Sequence, residues 1–216
     1  STMNDTTSTN HRLLPTLLGV LIASALIASA PQDAAAETNG WDSGGTSKPT
    51  VSDLIPRMSD DEAYTERYSF STNLENGGHI GLDLTISNLG WGDSHGGASV
   101  RVKWPGRTKY KFNKKLGKDK WSYSKNHLNI DIADTRITTT DGKSIRLRHE
   151  SSKVDMDITF RNRIPMWRPG SGQVTTDDGY YKFNLISPRA DVTGTITFGD
   201  DTYEVYWQSE VIEAAN

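Results

Sequence analysis

From Tyr68 onward, apolar and polar residues alternate with the period of a half-buried β-strand. Tyr68, Phe70, Thr72 and Leu74 share one side of the first run. Ile80, Leu82, Leu84 and Ile86 share one side of the next, and Asn76-Gly77-Gly78 between them reads as a hairpin turn. Ala98, Val100, Val102 and Trp104 follow, then the turn Pro105-Gly106, then Tyr110 and Phe112. Further on, the apolar sets are Leu128, Ile130 and Ile132; Ile145 and Leu147 after Asp141-Gly142; and Val154, Met156, Ile158 and Phe160. The last three are Tyr181, Phe183 and Leu185 after Asp178-Gly179; Val192, Ile196 and Phe198; and Tyr203, Val205 and Trp207 after Gly199. No amphipathic helix of ordinary length intervenes. The pattern predicts roughly ten antiparallel strands in meander order over residues 67–207. One apolar face per strand suits a barrel, a strongly curved sheet or two packed sheets, and periodicity does not choose among them.

The ends read differently. Residues 13–30 are the uncharged apolar run LLPTLLGVLIASALIASA, preceded by His11 and Arg12 and followed by Ala34-Ala35-Ala36. This is the layout of a signal peptide over residues 1–36, cut between Ala36 and Glu37. It predicts an exported chain, periplasmic or secreted, or a membrane-anchored one if the run is not cleaved. Residues 37–66, rich in Gly, Ser, Thr, Pro and acids, read as a flexible linker, with one helical turn expected at Ser59–Glu62. Residues 208–216 read as a C-terminal tail, consistent with a truncated longer chain.

Composition narrows the chemistry. Hydrophobic residues make up 34% of the chain and charged residues 24%, which suits a globular domain and neither a multi-span membrane protein nor a disordered one. There is no Cys, which excludes disulfides, thiolate metal sites and a Cys nucleophile. The net charge of −3 is too small to name a partner.

The stretch YSFSTNLENGGHIGLDLTISNLGWG (68–92) resembles the opening strands of the AttH-like and carotenoid 1,2-hydratase-like (hydroxyneurosporene synthase) lipocalin-like family. IPMWRPGSG (164–172) and GYYKFNLISPRADVTGTITFGDDTYEV (179–205) are similar to the same family, in the same order and spacing. The resemblance implies an all-β, antiparallel, calycin-type barrel or strongly curved sheet. It also implies that this chain matches the first of the family's two halves. It further implies roles in isoprenoid hydration, tocopherol-type cyclisation or lipid binding; no cofactor is expected. After Val205 the sequence departs from the family, because the second half does not follow.

Candidate chemistry is sparse. Gly92-Asp93-Ser94-His95-Gly96 fits the G-x-S-x-G of a nucleophile elbow, but it lies between two strands with no helix to follow. His79, Asp83, Asp93 and His95 are ligand types without ligand spacing, so no metal is expected. Asp155 and Asp157 could in principle protonate an alkene, yet alternation sets them opposite the apolar face of Val154, Met156 and Ile158. Residues 101–125 carry ten Lys or Arg against Asp119 alone. On an exported chain this argues against nucleic acid and for an anionic membrane surface, or for lysines that merely guard an exposed strand. Arg161, Arg163 and Arg168 around Trp167 present guanidinium groups suited to a carboxylate or phosphate at the mouth of the fold.

Two functional classes lead. The first is a binder or carrier of a hydrophobic isoprenoid or lipid, lined by Leu82, Leu84, Val102, Trp104, Tyr110, Phe112, Met156 and Phe160, with Trp167 and Arg168 at the mouth. The second is an isoprenoid hydratase or cyclase, for which no catalytic residue can be named. A carbohydrate-binding β-sandwich using Trp91 or Trp167 stands behind them, and a filled core with aromatic residues outside would favour it. An open sheet edge at Tyr203–Trp207 predicts self-association.

Overall fold

The computed structural model describes residues 40–208. The expected signal peptide and all of the expected tail beyond Gln208 lie outside the described residues. In chain order the elements are β1 (Thr46–Ser47), a 3-10 turn (Val51–Leu54), β2 (Thr65–Asn73), β3 (His79–Ser87), β4 (His95–Lys103) and β5 (Tyr110–Leu116). Then come β6 (Ser122–Tyr123), β7 (Leu128–Ile132), β8 (Thr135–Thr139), β9 (Ser144–His149) and β10 (Asp155–Asn162). The last five are β11 (Arg168–Pro169), β12 (Gln173–Thr176), β13 (Gly179–Lys182), β14 (Ala190–Phe198) and β15 (Asp201–Trp207).

All strand pairs are antiparallel. β2 to β5 form a four-stranded meander, and β6 to β10 continue into a seven-stranded sheet completed by β14 and β15. Of the forms expected, the open one is found: β5 does not pair with β6, nor β15 with β2, so the sheets do not close into a barrel.

The two sheets bury the alternating apolar sets against each other. Phe70 meets Phe160 edge-on with ring centroids 5.6 Å apart, and Trp104 meets Tyr203 at 5.2 Å. Leu82, Leu84, Val100, Ile137 and Ile158 have no exposed surface at all. Burying such side chains contributes about 1.5–3 kcal/mol each, which is what holds two open sheets face to face.

Two expectations change. Residues 40–64, expected as flexible linker, lie against the domain instead. β1 pairs with β11, Leu54 is buried, and Trp41 packs on Tyr181 and Phe183. The helical turn falls at Val51–Leu54 and not at Ser59, because Thr50 and Asp53 form a capping box there. Tyr181, Phe183 and Leu185 do not join the main sheet. β12 and β13 form a separate hairpin within the excursion between β10 and β14, and Leu185 makes a lone bridge to Trp167.

Candidate ligand-binding site

The interior expected as ligand space is a packed core. Leu82, Leu84, Val102, Trp104, Met156 and Phe160 are all buried in one apolar cluster. Tyr110 and Phe112 are half-buried on β5 and pack against its edge. The two principal depressions among the described residues lie at the surface. The larger, about 550 Å³, is floored by β9 and β10 and lined by Asp134, Arg148, Glu150, Asp155 and Asp157, with Met156 the only predicted apolar lining residue to reach it.

The polar residues of that groove are engaged with one another. Asp157 accepts from Nε and Nη2 of Arg146, and Asp155 accepts the Ser151 amide at 2.9 Å. Alternation had set both aspartates outside the core, and there they are. The Arg146 hydrogen bonds hold the Asp157 carboxyl below its ordinary value, the opposite of what an acid catalyst needs.

The second depression, about 300 Å³, is built from segments far apart in the chain: Asp53 and Arg57 from the 3-10 turn and its exit, Arg168 on β11, Ser171 to Gln173, and Lys182 and Asn184 at the end of β13. Register brings them together. Arg168 pairs with Ser47, so its Nε donates to Ser47 Oγ at 2.8 Å, and Ser47 Oγ donates to the Gly170 carbonyl at 2.6 Å. Gln173 pairs with Lys182, which sets both at the same rim.

Asp53 organises the cations. Its Oδ1 stands 3.5 Å from Arg168 Nη1 and 3.6 Å from Arg57 Nη2, while Oδ2 accepts the Thr50 amide at 2.7 Å and hydroxyl at 2.9 Å. Burial alone would raise the Asp53 carboxyl; the Thr50 hydrogen bonds and Arg168 outweigh it and hold the pKa below its ordinary value. Lys182 is pushed down, first by desolvation and then by the neighbouring charge of Arg57, with Arg168 adding to it. Three cations thus converge on one depression with one carboxylate in the wall, an arrangement that suits an incoming anion.

Gly172 makes the close packing there feasible. Its φ is +75°, and a Cβ would stand 2.6 Å from Arg168 Cδ and 2.8 Å from the Phe183 carbonyl.

The other sequence candidates go elsewhere. Arg163 pairs with Asp191, Arg161 is exposed, and neither joins Arg168. Asp83 is held on the outer face of the four-stranded sheet by Ser69, Arg67 and Arg101, and His79 bonds to Asn73. No group of three or more metal-ligating side chains occurs among the described residues. Ser94 stands just before β4 with a left-handed φ of 53° and is followed by strand, which is not an elbow. Arg57 and Lys182 were missed in the sequence; one sat in the supposed linker, the other in an apparent core strand.

Element order and strand pairing define an all-β fold of open antiparallel sheets. A crystal structure of a provisionally assigned AttH from Nitrosomonas europaea is similar, with a TM-score of 0.50 and 14% identity over 73% of this chain. That likeness shows the fold alone, and this chain spans only 55% of the Nitrosomonas protein's length. No family model and no curated protein matches the chain.

Proposed function

We propose that this protein is an exported, non-catalytic binder of an amphiphile with an anionic head, a long-chain carboxylate or a lipid phosphate. The head sits among Arg57, Arg168 and Lys182. The carrying observation is the company these cations keep. Among the described residues nine large hydrophobic side chains are exposed, and five of them (Ile164, Trp167, Tyr180, Tyr181 and Leu185) belong to the excursion that also supplies Arg168 and Lys182. Each methylene of a tail laid on such surface contributes about 0.8 kcal/mol, and a charge-assisted hydrogen bond about 1.5–3 kcal/mol. The hydrophobic ligand expected from the sequence is retained in this reading, but moved from the filled interior to the excursion. Export rests on residues 13–36 of the sequence.

An acidic saccharide is the second reading, favoured by the filled core and exposed Trp167. Tyr180 and Tyr181 do not form one stacking platform for it, since consecutive strand residues face opposite ways. Calorimetric titration with dodecanoate, dodecyl phosphate, dodecanol and glucuronate separates the two. The proposal expects the two anionic amphiphiles to bind, dodecanol to bind far more weakly, and Arg168→Gln to weaken the anions only. Equal binding of dodecanol would remove the role of the head group, and binding of glucuronate as tight as dodecanoate would move the saccharide ahead.

A further inference from the structure

A second surface lies at the end of the four-stranded sheet and uses none of the residues of the Arg168 depression. The loop 88–94 joins β3 to β4 and holds Leu89 and Trp91 out at 56% and 54% exposure. Their exposure does not come from a loose loop. Buried Asn88 donates through Nδ2 to the Ser59 and Asp61 carbonyls at 2.9 and 2.7 Å and accepts the Ser94 amide through Oδ1 at 2.8 Å. His95 Nδ1 donates to the Gly92 carbonyl at 2.7 Å, and the Leu89 amide donates to Ser87 Oγ at 3.0 Å. A well-braced turn that holds a Leu and a Trp in water is a costly arrangement for a purely structural loop.

The same loop is tied to the most basic part of the chain. Trp121 Nε1 donates to the Ser94 carbonyl at 2.8 Å, which sets the turn 117–120 beside it. Lys114 and Lys115 lie near the end of β5, and Lys118 and Lys120 follow in that turn; all four are exposed and none has a carboxylate partner among the described residues. Lys103, Lys109 and Lys111 extend the unpaired charge back along β4 and β5. Acids flank the loop as well: Asp60, Asp61 and Glu62 precede β2, Asp93 lies in the loop itself, and Asp119 lies between Lys118 and Lys120. The charge therefore tilts the favoured approach toward β5.

We propose that this end of the sheet docks on an anionic lipid bilayer, with Leu89 and Trp91 entering the boundary between headgroups and acyl chains and the β5-side lysines facing lipid phosphates. The pairing of features selects the partner. Lysines alone would suit any polyanion, whereas an exposed Leu–Trp pair gains nothing from a phosphate polymer and does gain from the interfacial zone, where Trp is favoured. Each lysine near such a surface strengthens binding about fivefold.

The absence of Cys permits a local test on the full chain. Asp93→Cys carries an environment-sensitive fluorophore in the loop, and Thr202→Cys carries it on β15 as a control. With phosphatidylcholine vesicles containing phosphatidylglycerol, the loop probe should shift to the blue and be quenched by brominated lipid, while the control stays silent. Leu89→Ser with Trp91→Ser should abolish the shift, and Lys118→Gln with Lys120→Gln should weaken it at least tenfold. A silent loop probe, or equal responses at both sites, would overturn the proposal even if the chain cosediments through residues 13–30. Heparin binding that equals vesicle binding and ignores Leu89 and Trp91 would assign the lysines to a soluble polyanion and overturn it as well.

Discussion

Tyr110 on β5 and His149 on β9 join the two sheets: the phenol oxygen lies 2.8 Å from the imidazole Nε2. His149 has no exposed surface, its Nδ1 lies 2.8 Å from Thr135 Oγ1, and the Phe112 ring packs on it at 4.7 Å. The contact links β5 to the facing sheet on the side where strand pairing leaves the fold open. Burial lowers the His149 pKa, against the opposing pull of Asp155, Asp134 and Glu150.

The sign of the pH effect follows. The unfolded chain takes up a proton near the ordinary histidine value of about 6.5, and the native chain resists it to lower pH. Stability is therefore full above about pH 6.5 and falls as the pH drops through that value. Urea unfolding at about pH 7.5 and about pH 5.5 should show the loss in the wild type and a smaller one in His149→Gln. An identical loss in both would contradict a neutral buried imidazole.

Tyr110→Phe leaves one buried imidazole nitrogen without its partner. The expected cost is about 1–3 kcal/mol, measured by urea unfolding at neutral pH. A neutral effect would mean that water replaces the phenol.

Leu84→Ala removes a fully buried side chain on β3 and should destabilise by about 2–5 kcal/mol. Affinity for dodecanoate, measured on the folded variant, should not change. A loss of affinity larger than that from Arg168→Gln would restore the interior as the ligand space.

Gly172→Ala forces a Cβ against Arg168 and the Phe183 carbonyl. Dodecanoate affinity, measured on the folded variant, should fall at least tenfold because Arg168 must move, and the unfolding midpoint should fall too, because the backbone carbonyl and the left-handed φ strain the alanine. An unchanged affinity would separate Arg168 from the site.

β15 is the last strand of the seven-stranded sheet and exposes Tyr206 at 48%. Lysine guards β5, including Lys114 on its inner side opposite Ala98, whereas β15 itself carries no lysine. Sedimentation velocity at rising concentration should show a dimer. A single monomer at all concentrations would rule out pairing through this edge.

Much of the fold was legible because apolar alternation and Gly-bearing turns coincide from Tyr68 to Phe160. β8 escaped notice because its inward positions Thr135 and Thr139 are polar, leaving Ile137 as the one apolar mark. The turn before it uses Ala133 and Asp134, both at left-handed φ (51° and 56°), in place of glycine. The hairpin β12–β13 misled for the opposite reason. Tyr181 and Phe183 alternate as core residues do, but they pack on Trp41 from a segment without periodicity. Of the site, Arg168 was legible as a cation beside Trp167. Arg57 and Lys182 were not, since only β1–β11 pairing and the hairpin register bring them to it.

Backbone amide NMR of the protein titrated with dodecanoate tests the central claim most directly. The account predicts shifts confined to residues 47–57 and 164–185, with saturation lost in Arg168→Gln. Shifts centred instead on Leu82, Leu84, Val102 and Phe160 would contradict it and show a ligand entering between the sheets.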